Sequence, residues 1–505
     1  MKTTRLTAYL ALSLSATPLP AAVPYPIADT GQIRCYDNRS EISPPAPEQP
    51  FFGQDGQYQG RQPAYKDNGD GTVSDPVTGL TWIQRPPSAK CPWADAPKVV
   101  AALNARKFGG HTDWRVPTTK ELYSLINHDK GWPYIDTKFF VCELAPQVID
   151  QVKNTQYWTC DRSVTPDGTP EAFGINFATG HIKAYALGMG SYVRCVRGDS
   201  GYGKNEFHDN GDGTITDRAT GLMWSKEDSR NGLNWEEALA WAHSCNKANY
   251  LGHNDWRLPN VRTLQGIVDY ARIMETGKPA TVATAMDPVF SSTSITDEEG
   301  NPDCPYYWSS TSCYHGPTMP EYRFAWYVSF GRAKIAPASE GPGTNRTRSR
   351  RVAEAGATRY DAKAKAGQTA GPGSDGERIY NYARLVRGGD LTPRKDNPSP
   401  SPAVVQQPQI PIPATPAAAP AATTAAGRPP MPTSPMISAL DLNGDGVIDA
   451  DEIAKAAESL KKLDKNHDGK ITADEYRPQR PGGTAGPPTG AGAGTEPPQR
   501  PGNNP

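Results

Sequence analysis

Apolar residues along the chain recur with periods that mark several elements. Leu122, Leu125 and Ile126 fall on one face of a predicted helix that Thr118 or Thr119 can cap, with Glu121 in its first turn. Trp235, Leu239 and Ala242 repeat at helical spacing further along. Phe173, Ile175 and Phe177, then Phe324, Trp326 and Val328, alternate as strands do. Near the C-terminus Ile453, Ala457, Leu460 and Leu463 share one helical face. Leu6 to Ala16 is a short apolar run, preceded by Lys2 and Arg5 and followed by Pro18, Pro20, Ala21 and Ala22. That order reads as a secretory signal over residues 1–22. No later segment holds the ~20 apolar residues of a membrane helix.

The same pattern is written twice. D-N-G-D-G-T-V-S-D-P-V-T-G-L-T-W begins at Asp67, and D-N-G-D-G-T-I-T-D-R-A-T-G-L-M-W begins at Asp209. H-T-D-W-R-V-P ends at Pro117 and H-N-D-W-R-L-P at Pro259, so the offset of 142 is kept. Y-W-T at Tyr157 and Y-W-S at Tyr307 follow, then V-R-C-V-R-G ending at Gly198 and A-R-L-V-R-G ending at Gly388. Two similar globular domains in tandem are expected, the second carrying insertions. The D-N-G-D-G blocks fail as calcium loops, because the register puts Val77 and Ala219 where a closing carboxylate belongs. They read instead as Gly-rich hairpin turns.

Composition divides the rest. A 23–66 extension precedes the repeats at 67–199 and 200–390. Residues 391–436 are a Pro- and Ala-rich spacer, and 478–505 are a Pro- and Gly-rich tail expected to be disordered. Residues 341–378 are expected to be a disordered basic insertion. Within 345–365, Arg346, Arg348, Arg350, Arg351, Arg359, Lys363 and Lys365 stand against Glu354 and Asp361, a net of +5 that suits sulfated or acidic polysaccharide. The whole chain carries only −1, so no global field points to nucleic acid or a membrane. Eight cysteines in an exported chain favour disulfides, with Cys160 and Cys195 as the preferred pair; free buried thiols are the alternative.

The strongest chemistry lies in residues 437–477. D-L-N-G-D-G-V-I-D-A-D-E runs from Asp441 to Glu452, and D-K-N-H-D-G-K-I-T-A-D-E from Asp464 to Glu475. Both fit the EF-hand calcium loop. Asp441, Asn443 and Asp445, and Asp464, Asn466 and Asp468, supply short oxygen side chains. Gly446 and Gly469 make the sharp turn. Val447 and Lys470 offer backbone carbonyls, Asp449 and Thr472 take position nine, and Glu452 and Glu475 close each cage. Ten acidic and five basic residues between Asp441 and Glu475 repel one another without bound calcium, which couples binding to folding. A helical break near Ala456 would let the loops meet through Ile448 and Ile471.

The repeated blocks, D-N-G-D-G-T, T-G-L-x-W, D-W-R-x-P, Y-W-[ST] and V-R-G in order, resemble the Lcl C-terminal domain family over roughly 60–198 and 203–389. The pattern is also similar, more loosely, to formylglycine-generating enzymes and the C-type-lectin-like fold. The resemblance implies an α+β protein of two C-type-lectin-like domains, each a small antiparallel sheet with two helices, before a small all-α EF-hand module. It implies exported or surface location and adhesion to sulfated polysaccharide. Leu385 stands where the first copy has Cys195. Asp113 with Arg115, and Asp255 with Arg257, read as structural ion pairs or caps beside a buried Trp rather than catalytic pairs, and His111 and His253 have no nucleophile beside them. Trp158, Tyr192, Trp308 and Tyr322 include candidates for stacking on sugar rings. The functional expectation is an exported calcium-binding protein that adheres to polysaccharide; an enzyme of the formylglycine-generating fold and a structural envelope protein are the alternatives.

Overall fold

The structure, a computed structural model, describes residues 25–131, 133–142, 155–164, 168–273, 284–296, 302–314, 322–331, 355–363, 380–394 and 455–462. It divides into two compact units, Met1–Thr415 and Pro416–Pro505.

In the first repeat β1 (Lys66–Asp67) turns back as β2 (Thr72–Asp75), and β3 (Leu80–Ile83) follows antiparallel, with Val73 opposite Trp82. Gly69 and Gly71 stand at φ 78° and 84°, which a side chain at either place would strain. Asp70 Oδ1 fixes the turn by accepting from the Thr72 N–H at 3.0 Å and its hydroxyl at 2.6 Å. Helix α1 (Ala96–Ala105) and the short α2 (Thr119–Tyr123) come next. Thr118 caps α2 in a reciprocal box with Glu121. Strands β4 (Gln156–Val164), β5 (Pro170–Asn176) and β6 (His181–Ala186) form a meander, and β7 (Val196–Arg197) returns to pair with β3.

The second repeat redraws this plan. Strands β8 (Phe207–Asp209), β9 (Thr214–Asp217) and β10 (Leu222–Ser225) match β1 to β3, with Ile215 opposite Trp224. Helix α3 (Trp235–Lys247) is boxed at its start by Asn234 and Glu237, and α4 (Val261–Gln265) is capped by Asn260. The meander is β11 (Tyr306–Ser312), β12 (Phe324–Ser329) and β13 (Thr358–Ala362), and β14 (Val386–Gly388) closes against β10.

The two repeats are fused. Among the described residues the meanders join into one six-stranded sheet of order β11-β12-β13-β6-β5-β4, through a β13–β6 pairing that sets Thr358 opposite Ile182. The order is palindromic, as a local two-fold between the repeats requires. One apolar cluster therefore contains Trp82, Tyr157 and Ile182 from the first copy and Trp224, Tyr307 and Trp326 from the second. Trp326 sits at this seam, with the rings of His128, His181, Tyr134 and Tyr360 around it at 5.0–5.7 Å between centroids. The N-terminal extension is also part of the body. Gln32 exchanges hydrogen bonds with the Ser312 backbone, Thr30 and Thr311 both donate to Asp55, and Tyr58–Gln59 pairs with Thr392–Pro393.

Mixed secondary structure, mostly sheet with few helices, agrees with the α+β class. Two expectations need correction. Residues 355–363 are not part of a disordered basic insertion: β13 is an inner strand, and Arg359 and Lys363 are buried. Lys363 Nζ donates to the Asp37 carbonyl at 2.9 Å and lies 4.3 Å from the Trp235 ring. Its flanks are basic and rich in Ala and Gly, which hid a five-residue strand; the other named basic residues, Arg346, Arg348, Arg350, Arg351 and Lys365, lie outside the described residues. The eight cysteines are thiols, and the Cys160–Cys195 bridge is not formed. Cys160 is exposed on β4, bonded to the Pro117 carbonyl, whereas Cys195 is buried in the cluster around Trp114 and Trp158. No described helix is long and apolar enough to cross a membrane.

Candidate functional site

In the second unit α5 (Ala456–Lys461) lies between the two predicted calcium loops. Lys455 precedes it at φ −99°, ψ 1°, outside helical values, so the helix starts at Ala456. The predicted ligands, Asp441 to Glu452 and Asp464 to Glu475, lie outside the described residues, as do Ile448 and Ile471. Among the described residues no group of three His, Cys, Asp or Glu side chains is arranged to hold a metal. The carboxylates of the D-N-G-D-G turns are instead engaged locally: Asp67 accepts from Gly69 N and Gln84, and Asp209 from Gly211 N and Lys226.

The repeated D-W-R blocks hold the fold together. Each Trp is buried, and its indole N–H is spent on a carbonyl six residues earlier, Trp114 on Phe108 at 2.9 Å and Trp256 on Tyr250 at 2.7 Å. Asp113 does not pair with Arg115. It takes Arg197 at 2.8 Å, and Asp255 takes Arg387 at 2.6 Å, so each tie runs to the closing strand. The Arg197 guanidinium holds the Asp113 carboxyl below the usual range. Arg115 forms a bidentate pair with buried Glu121, at 2.6 and 2.5 Å. The pairs expected within each block, Asp113–Arg115 and Asp255–Arg257, are not formed: both aspartates tie to the closing strands, Arg115 pairs with Glu121, and Arg257 Nη2 reaches the Gly388 carbonyl. His111 and His253 lie edge-on to those tryptophans.

Two further arginines, which stand in the quoted V-R-C and A-R-L blocks, also hold the fold together. Arg194 and Arg384 are fully buried, and each clamps three backbone carbonyls: Ile83, Gln84 and Val141, or Ser225, Lys226 and Ser291. A guanidinium suits this, since its planar fork points several donors at once. Their recurrence at matching places in both copies was the available signal.

Trp158 and Trp308 are fully buried, with indole N–H groups on Cys91 and Leu233 carbonyls, so neither can stack on a sugar. Tyr192 and Tyr322 are partly exposed. Burial pushes the Cys35, Cys195, Cys245 and Cys304 thiols up to about 12, which keeps them protonated and poorly nucleophilic at neutral pH.

Comparison with known families agrees with both parts of this picture. The Lcl C-terminal domain family matches residues 71–197 and 213–352, and EF hand matches fall on 436–455 and 456–477. The second of the former stops before β13, yet β13 pairs with β6 in the shared six-stranded sheet, and β14 closes the second copy's own four-stranded sheet as β7 closes the first copy's. No curated protein matches the chain.

Proposed function

The chain belongs to the Lcl C-terminal domain family, and from that membership we propose that it is an exported calcium-binding protein that adheres to sulfated or acidic polysaccharide. Calcium is the firmer half. The two EF hand matches coincide with twelve-residue loops whose oxygen positions are all filled, and this coincidence carries the reading. Asp441, Asn443, Asp445, Val447, Asp449 and Glu452 hold one ion; Asp464, Asn466, Asp468, Lys470, Thr472 and Glu475 hold the other. The first loop brings four carboxylates to the second loop's three, and binds more tightly.

Adhesion rests on the family, whose name comes from a collagen-like adhesin, and on the basic residues Arg346, Arg348, Arg350 and Arg351. Each repeat is read as a C-type-lectin-like domain, as the family resemblance implies. Residues 1–22 direct export, and the calcium module follows a Pro- and Ala-rich spacer that begins after Arg394, because Thr392–Pro393 pairs with Tyr58–Gln59 and is not part of the spacer. The test is a glycan array of sulfated and carboxylated polysaccharides probed with the full-length protein, with and without calcium. Retention on sulfated polymers that weakens when the four arginines become Ser supports the proposal; absence of retention in both conditions overturns the adhesion half.

A further inference from the structure

The two repeats treat one repeated tryptophan in opposite ways. Trp93 and Trp235 match by the offset of 142. Their indoles are held alike: Trp93 Nε1 donates to the Thr159 carbonyl at 2.9 Å and Trp235 Nε1 to the Ser309 carbonyl at 2.7 Å, matching positions in the Y-W-[ST] blocks. Their backbone N–H groups also bond alike, to the Leu187 carbonyl at 2.9 Å and the Lys363 carbonyl at 3.2 Å.

In the second repeat the ring is covered. Phe51 from the N-terminal extension packs on Trp235 at 6.1 Å between centroids, Lys363 Nζ lies 4.3 Å from the same ring, and Trp235 is fully buried. Glu48 ties this loop of the extension to α3 through His243 and Lys247, at 3.0 and 2.5 Å. In the first repeat the matching helix positions are Ala101 and Ala105, both exposed, which offer such a loop neither an ion pair nor a ring contact. Among the described residues no aromatic ring packs on Trp93, which stays partly exposed.

A cation is kept beside the uncovered ring all the same. Leu187 stands where the second repeat has Lys363, and the charge comes instead from Arg162 on β4, an exposed side chain whose guanidinium carbon lies 5.5 Å from the Trp93 ring centroid. Two carboxylates close to it in the chain fold are engaged elsewhere: Asp161 accepts from the Thr119 N–H at 2.6 Å, and Asp95 pairs with Lys98 at 2.8 Å.

We propose that Trp93 and Arg162 form a subsite for one residue of a sulfated or carboxylated polysaccharide. The sugar ring lies on the indole where the second repeat lays Phe51, and its anionic group meets the guanidinium. The inference rests on the adhesion reading above and gives it a place on the folded body. Binding through this surface belongs to the first repeat alone, because the second repeat fills the matching seat from within its own chain.

The test is retention of the full-length protein on immobilised dextran sulfate and on immobilised polyvinyl sulfate, which carries sulfate charge without a sugar ring. Arg162→Gln, at an exposed position, should weaken binding to both polymers about two- to fivefold. Trp93→Ala should weaken binding to dextran sulfate to a similar degree and leave polyvinyl sulfate unchanged, which is the signature of stacking. Arg162→Gln decides the matter should Trp93→Ala fail to fold. Dextran sulfate binding unchanged by Arg162→Gln overturns the subsite and leaves the adhesion reading standing. No retention of the unaltered protein overturns the adhesion reading, and the subsite with it. Equal weakening on both polymers by a folded Trp93→Ala variant overturns the sugar ring as the occupant. So does displacement of dextran sulfate by an acidic, Phe-containing peptide at lower concentration than by sulfated glucose.

Discussion

Thr358 stands opposite Ile182 across the seam where the last meander strand of one repeat meets the last of the other. That one pairing joins two three-stranded meanders into a continuous sheet. Around it the side chains of both copies form one core, with Trp326 fully buried between His128 and His181. The repeats should therefore unfold together. In calorimetry the unit carrying them is expected to give one transition. Trp326→Ala should lower it by roughly 3–5 kcal/mol through cavity formation, without splitting it in two. Two separate transitions in the unaltered protein would mean that the seam is not cohesive.

The two kinds of repeated ion pair should respond very differently to removal. Glu121 is fully buried and also caps α2, so Glu121→Gln leaves the Arg115 charge poorly compensated and should cost about 3–5 kcal/mol. Asp113 is over half exposed in its pair with Arg197, and Asp113→Asn should cost less than about 1 kcal/mol. Urea unfolding of both variants measures the ratio. Equal losses would show that the D-W-R block does not anchor the fold in the way its geometry indicates.

His128 makes stability depend on pH. Burial, with Arg262 adding to it, pushes its pKa well below the usual 6.5. The folded protein therefore refuses a proton that the unfolded chain accepts. The sign follows: stability from this residue is complete above about pH 6.5 and is lost as pH falls below it, by up to about 1.4 kcal/mol per pH unit. Asp55 acts in the opposite sense, since its raised pKa lets the folded state hold a proton that an exposed Asp releases. Comparison of the unaltered protein with His128→Phe at each pH cancels that contribution. The variant should lose less stability between about pH 7 and about pH 5; parallel curves would show that His128 is not the group responsible.

Much of the local structure was legible. The tandem D-N-G-D-G-T blocks became two matching hairpins, Thr118 became a cap, and Phe324, Trp326 and Val328 lie on a strand, because turn chemistry and periodicity act over a few residues. What was hidden depends on distant partners. Asp113 finds Arg197 rather than its near neighbour Arg115, the meanders merge edge to edge, and the segment from Tyr25 to Arg61 is woven into both repeats. Nothing local marks Thr358–Ala362 as an inner strand, since its Arg and Asp read as surface residues until the chain is folded. Cys195 faces a cluster chosen by tertiary packing, which spacing alone could not show. The calcium loops are the reverse case: all their chemistry is sequential, so the sequence carries the whole ligand set.

The most direct measurement is a calcium titration of the full-length protein by calorimetry, beside Glu452→Gln and Glu475→Gln. Two ions should bind, with affinities in the roughly micromolar to millimolar range of sensor and extracellular sites. Glu452→Gln should remove the tighter event and Glu475→Gln the weaker one. No binding at millimolar calcium, or binding unchanged by both substitutions, would contradict the account.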